Sequence, residues 1–283
     1  MAAALLQSSR QPHARECGWI RDEQHVAGVG RMRAQLHETG YRAHSHDTYT
    51  LSLVEGGVQE FSYRRSVHRC APGQVSILHP DETHDGRPGS DVPLSYRCVH
   101  LSPAAVQDAI AATGARKAAL PFVREPVVYH PGLARDLLCA FEAELEPLFA
   151  DSLIASLANH LSGLAFGIRL ETVQGRLDVV ALDRAAEFLR SNADRVVHSR
   201  ELEAITSLTR FELATQFRRR FGTSPYRYLL MRRLDLVRHA LRAGIDPAQA
   251  ALQTGFADQS HMGRVFRAAL GMTPREFAKL YRR

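Results

Sequence analysis

The feature that most constrains this chain is an internal repeat. Phe217-Arg218-Arg219-Arg220-Phe221-Gly222-Thr223-Ser224-Pro225 returns 49 residues later as Phe266-Arg267-Ala268-Ala269-Leu270-Gly271-Met272-Thr273-Pro274. Each copy ends an amphipathic run at a glycine, which accepts the left-handed conformation that closes a helix. Each then places Ser or Thr before proline, the N-cap and first position of a following helix. Ahead of the first copy, Thr209-Arg210-Phe211-Glu212 is a capping box; ahead of the second, Asp258 is placed to cap. Supporting helices are expected over 199–207 and 247–254. The turn Ser207-Leu208-Thr209 is one residue shorter than Gly255-Phe256-Ala257-Asp258, and Gly255 suits a positive φ. The pattern predicts two helix-turn-helix units joined by one long helix, Pro225 to about Ala243, with Tyr228, Leu229, Leu234, Val237 and Leu241 inward.

In the second unit Met262, Val265, Phe266 and Ala269 mark a buried face; in the first, Leu213, Phe217 and Phe221 do so. The other face of the second carries Gln259, Ser260, Gly263, Arg264 and Arg267, groups that can read base edges or hold phosphate. Charge agrees. Residues 171–283 hold 20 Lys+Arg against 12 Asp+Glu, a net of +8, while residues 1–170 carry −2. A basic C-terminal half suits a polyanion partner. Almost every cation is arginine, Lys117 and Lys279 excepted. Arg219, Arg220, Arg232 and Arg233 read as solvated surface or phosphate contacts, and His261 as a structural residue.

Ala251, Gly255-Phe256, Asp258-Gln259-Ser260-His261, Arg264, Phe266-Arg267, Gly271 and Thr273-Pro274 resemble the signature of the AraC/XylS family of transcription regulators. Met262 stands where that family commonly has Phe. The resemblance implies double-stranded DNA as partner, with RNA polymerase beside it. It implies a first recognition helix presenting Arg210, Phe211, Ala214, Thr215 and Arg218, and a second presenting Gln259, Ser260, Gly263, Arg264 and Arg267.

The N-terminal half reads differently. Short alternating stretches, 31–36, 48–54, 58–64, 74–78 and 94–101, punctuated by Gly and Pro, predict a β-sandwich or barrel. His44-Ser45-His46 and the later Pro72-Gly73-Gln74 with His79-Pro80-Asp81-Glu82-Thr83-His84 resemble the two motifs of cupins, here the effector-binding barrel of AraC-like regulators. His44, His46 and His84 are three candidates for one metal ion. Metal-binding cupins add a carboxylate shortly after the paired histidines, where this chain has Thr50 and Leu51; His79 or Gln59 would have to substitute. The expectation is no metal and no cofactor, and a pocket for a small effector formed by His44, His46, Tyr49, Phe61, Tyr63, His84 and Tyr96, with Leu51 also inward.

Leu133, Leu137, Leu138, Phe141 and Leu145 predict a helix over 131–148. Asp151 is expected to cap a second helix, to about 170, whose wide apolar arc suits a homodimer contact. The fold class expected is α+β and multidomain: an N-terminal arm over 1–28, a cupin-like barrel over 29–130, a helical hairpin over 131–170, a linker over 171–180, and an all-α domain with two helix-turn-helix motifs over 181–283. No stretch reads as a signal peptide or membrane span, and Cys17, Cys70, Cys98 and Cys139 form no metal or redox motif, which suits a cytoplasmic protein. The function expected is transcription regulation, activation included, rather than catalysis; the alternative is a metal-dependent cupin enzyme fused to a DNA-binding domain.

Overall fold

The computed structural model of the chain describes residues 18–26, 28–113, 119–142, 144–167 and 177–281. Among these, nine strands come first: β1 (Trp19–Val26), β2 (Val29–Leu36), β3 (Tyr41–His44), β4 (Tyr49–Gly56), β5 (Gln59–Tyr63), β6 (Ser66–Cys70), β7 (Val75–Leu78), β8 (His84–Pro88) and β9 (Leu94–Leu101). Helix α1 (Pro103–Ala111), the short strand β10 (Val127–Val128), α2 (Pro131–Cys139) and α3 (Pro147–Phe166) follow. The chain then runs through α4 (Val179–Ser191), α5 (Ser199–Thr206), α6 (Arg210–Phe221), α7 (Pro225–Arg242), α8 (Pro247–Gln253), α9 (Gln259–Leu270) and α10 (Pro274–Lys279).

The strands form two antiparallel sheets, β1-β2-β9-β4-β7-β10 and β3-β8-β5-β6. Between them lies a core of Ala34, Leu36, Val54, Leu78 and Tyr96 from the larger sheet and Phe61, Tyr63 and Cys70 from the smaller. The larger sheet is buried on its outer face too, because α1, α2 and α3 pack there. Strand β4 therefore alternates between two interiors. Thr50, Ser52 and Val54 face the lumen, while Tyr49, Leu51 and Leu53 join the helices. This corrects the expectation for Tyr49 and Leu51, which face away from the lumen. Strand alternation gives parity but not side, and a sheet covered on both faces rewards apolar residues in either direction.

The segment expected as an arm contains strand β1, paired with β2 at the sheet edge. Its charged residues obscured it, yet charge is common on edge strands; residues 1–17 lie outside the described residues. Strands β3, β6 and β8 were not anticipated either. They are short, polar members of the smaller sheet, with little apolar alternation to read.

The hairpin also differs from expectation. Pro147 opens α3 instead of ending α2, because the first helical position needs no backbone N–H from it. Asp151 is then inside α3 and buried, not a cap. The wide apolar arc of α3, expected to suit a dimer contact, is covered within the chain: Leu153, Ile154, Leu157 and Leu161 lie in one continuous core with Leu133, Val106, Phe211, Phe217 and Leu229.

Two helix pairs, α5–α6 and α8–α9, repeat the same construction. Helix α6 starts at the Thr209–Glu212 capping box and ends at Gly222 with φ 70°; α9 starts at Asp258 and ends at Gly271 with φ 73°. Between α5 and α6, Ser207 takes φ 58°, filling the left-handed position that Gly255 fills with φ 76° in the second pair.

Candidate nucleic-acid interface and effector barrel

Helix α9 begins at Gln259 with Asp258 accepting the His261 backbone N–H at 2.6 Å. Met262 and Phe266 turn inward against Leu234, Val237, Leu241 and Phe277. That fixes the opposite face, where Gln259, Ser260, Arg264 and Arg267 are exposed and Gly263 half-buried. A Cβ at Gly263 would meet nothing within 4 Å. Arg264 donates through Nε to the carbonyl of Glu142, 3.1 Å away.

Helix α6 holds the corresponding residues 49 positions earlier, and their surroundings differ. Phe211 and Ala214 are buried; Arg210, Thr215 and Arg218 are half-buried. Arg210 Nη1 lies 3.3 Å from Asp151 Oδ1 on α3. Arg218 Nη1 donates to Ser156 Oγ on α3 at 3.0 Å, and that hydroxyl donates to Asp136 of α2. Burial alone would raise the Asp136 carboxyl, but hydrogen bonds from His160 and Ser156 outweigh it and hold it below the usual range. Asp151 goes the other way: burial raises it, with the Ser199 hydroxyl and Arg210 offsetting only part.

The remaining arginines divide. Arg219 and Arg220 are exposed, and Arg232 pairs with Asp235 at 3.4 Å. Arg233 is neither surface nor a phosphate contact: it is 0% exposed. Its guanidinium meets both oxygens of Glu146 at 2.8 and 3.2 Å and donates to the carbonyls of Ala193 and Arg195. This bidentate pair ties α7 to the start of α3. His261 is buried against Phe256, with burial pushing its pKa down. Its two ring nitrogens meet no hydrogen-bond partner among the described residues.

In the barrel, His44 at the end of β3, His46 in the loop after it and His84 at the start of β8 come together. Their ring centroids are 4.6 to 5.2 Å apart. His44 Nδ1 lies 2.7 Å from the Arg42 carbonyl and His84 Nδ1 lies 2.9 Å from that of Glu82. A carbonyl only accepts, so both rings carry a proton on Nδ1. Burial, with His100, His44 and His84 close by, pushes His46 down to about 4, and burial lowers His84. His46 and His84 are thereby held towards the neutral form, each with an acceptor nitrogen. His100 adjoins it, 5.4 Å from His46 and opposite Thr50 in the strand register. It was missed, though it shares the parity of Tyr96 and Cys98 on β9. Candidate ligand atoms of His44, His46 and His84 lie within 4.8 Å of one another. Two nitrogens on one Zn²⁺ are at most about 4.2 Å apart, so an ion here would draw the rings inward.

Beyond the histidines the lumen is polar at intervals. Ser76 donates to Gln59 at 3.1 Å, and Tyr96 donates to Tyr41 at 3.0 Å. Phe61, Tyr63 and Tyr96 sit in the packing between the sheets, whereas Tyr49 turns outward and gives its hydroxyl to the carbonyl of Pro121. His79, weighed as a substitute ligand, is used elsewhere. Its Nε2 accepts the Val123 N–H at 2.9 Å, and its Nδ1 is 2.9 Å from the Tyr63 hydroxyl. It pins the extended stretch before β10 to the barrel.

A two-sheet barrel on a helical hairpin, followed by two capped helix pairs, defines a ligand-binding module joined to a DNA-binding one. Family comparison gives the same division: residues 26–158 match the AraC-like ligand binding domain and residues 202–280 a helix-turn-helix domain. The chain belongs to the AraC family of transcriptional regulators, with an N-terminal ligand-binding domain and a C-terminal DNA-binding domain. It is 28% identical over 228 residues to the HTH-type transcriptional regulator YbfI of Bacillus subtilis, covering 77% of this chain and 80% of that one. It is 38% identical over 78 residues to the transcriptional activator RhaS of Escherichia fergusonii, covering 26% and 28%. Among solved structures, apo ToxT from Vibrio cholerae matches with 12% identity and TM-score 0.38 over 92% of this chain and all of that one. No helix among the described residues is long and apolar enough to cross a membrane.

Proposed function

We propose that α6 and α9 are the two DNA readers, entering successive major grooves about 34 Å apart with α7 as the rigid spacer. The observation that carries this is the exposed polar face of α9, Gln259, Ser260, Arg264 and Arg267 around the half-buried Gly263, held out by an inward-facing Met262 and Phe266. Gln259 lies at the helix N-terminus, where a side-chain amide can pair with adenine, and Arg264 can reach the O6/N7 edge of guanine. Arg267, further along, holds phosphate. In α6 the readers are Arg210, Phe211, Ala214, Thr215 and Arg218.

The barrel holds a small effector against His44, His46 and His84. Imidazoles held towards the neutral form at His46 and His84 favour a ligand that brings hydrogen-bond donors, such as hydroxyl or amino groups. Phe61, Tyr63 and Tyr96 shape the wall. RNA polymerase, a second copy of the chain and a cytoplasmic setting complete the proposal; because the α3 arc is covered, a homodimer would use another surface. The fixed tautomers of His44 and His84 also favour a second reading, a metal ion held by the three histidines, which is tested by metal analysis of purified protein.

The DNA reading is tested by binding selection on randomised duplexes at two salt concentrations. Arg264→Ala should lose about 1–3 kcal/mol at one base pair and change the preferred sequence. Arg267→Ala should weaken all sequences alike and lower the salt slope by about 1. If neither Gln259→Ala nor Arg264→Ala alters the preferred sequence, α9 positions the protein without reading.

A further inference from the structure

We propose that this fold is a DNA-excluding state, in which the effector domain occupies the reading face of α6, while the face of α9 stays exposed and is touched by that domain at the Arg264 bond to the Glu142 carbonyl. The proposal rests on the assignment of α6 as a reader. The repeat supplies an internal control, since the two helices share length, caps and core positions. At each of the five paired reading positions the first copy is the more covered. Phe211 is 2% exposed, while Ser260 is exposed; Thr215 and Arg218 are half-buried, while Arg264 and Arg267 are exposed. Residue type contributes at Phe211 and Ala214, but Arg218 and Arg267 are the same residue at the same position and still differ. What differs is α3, against which α6 packs, with α1 beside it.

The contacts are of the kind DNA would make. Arg210 faces the buried carboxylate of Asp151 where a phosphate would otherwise stand. Arg218 is held through Ser156 to Asp136. Phe211, which would lie against base edges, lies instead in the core shared with α3, and the buried Ala214 lines a cleft with Ser152 and Ala155 of α3. A side chain buried against protein cannot also enter a groove, so the two partners of this face compete. Docking has support away from the face as well: Phe149 stacks on Tyr226 at 4.7 Å, and Glu146 holds Arg233. The docked chain is thus limited to a single reader, and two-groove binding requires α6 to leave α3. Ligands favouring the undocked form would raise DNA affinity by the population they release.

The test uses the full chain. A duplex is first enriched from a random pool by the wild-type protein. Asp151→Arg sets two cations against each other at Arg210; Ala155→Trp wedges the cleft that Ala155 lines with Ala214 and Thr215. Either variant should show a larger radius in small-angle scattering, about tenfold tighter binding, and a footprint longer by about 10 bp, one helical turn. In wild-type protein, hydrogen exchange in residues 148–158 should rise at saturating DNA, a measurement that needs no variant to fold. A wild-type footprint already spanning both grooves, with exchange in α3 unchanged, overturns the proposal. If the opened variants bind as expected but adding Thr215→Ala and Arg218→Ala changes neither affinity nor footprint, the assignment of α6 as a reader has failed, and the proposal falls with it.

Discussion

His79 shows how one side chain can carry a pH response. Burial and the neighbouring Arg64 push it down to about 4 from an ordinary 6.5. A base with a depressed folded pKa binds protons more readily when unfolded, so its share of stability is intact above pH 6.5. It is lost as pH falls from 6.5 towards 4. Protonation also removes the acceptor for the Val123 N–H. Thermal denaturation of the wild type should therefore weaken over that window more than in His79→Gln, and identical pH profiles would refute the role. At Glu146 the effect is larger and independent of ligand. Glu146→Ala leaves Arg233 charged and buried without its carboxylate, and should cost about 3–5 kcal/mol in urea denaturation. A loss below about 1 kcal/mol would show that solvent reaches Arg233.

At the scale of elements, the turns before α6 and α9 solve one problem with different residues. A Cβ at Gly255 would sit 2.7 Å from the Ala193 carbonyl oxygen, on backbone that cannot give way, and its φ is +76°. Gly255→Ala should destabilise the second helix pair by about 2 kcal/mol or more, combining left-handed strain with a clash. Ser207 already accepts that strain at φ 58°. Ser207→Gly should stabilise the first pair by no more than about 1 kcal/mol, because relief of strain is offset by greater freedom in the unfolded chain. Gly263 is the contrasting case. With open space around its Cβ, Gly263→Ala should raise helix stability by up to about 1 kcal/mol. A loss of DNA affinity in that stable variant would place DNA against the position. Calorimetry of the three variants separates the outcomes.

Over the whole molecule, one apolar core runs from the outer face of the larger sheet through α1–α3 into α4–α7, while a separate cluster holds α8–α10 on the second half of α7. The expected consequence is that the barrel's outer sheet, α3 and the first helix pair unfold together, and that the second pair can open first. Native-state hydrogen exchange should give α9 and α10 lower opening free energies than α6. Equal values would mean the two clusters act as one.

The sequence by itself determined the local constructions. Caps, glycines and apolar spacing placed α5 to α10 within a few residues, since a helix is set by neighbours three and four positions away. The repeat announced two helix pairs, and the residues of the α9 face were legible because its inward side is so clearly apolar. The histidines were legible as candidates, but only folding brought β3, its following loop and β8 together, with His100 across the sheet. Tertiary structure alone decided which face of β4 looks into the lumen, because both faces are covered. It alone made Arg233 a buried tie instead of a surface cation, and Asp151 a partner for Arg210 instead of a helix cap. These choices depend on groups 59 and 87 residues apart, Arg210 with Asp151 and Arg233 with Glu146. Burial and charge pairing at that range leave no periodicity in the chain, so no local pattern could have announced them.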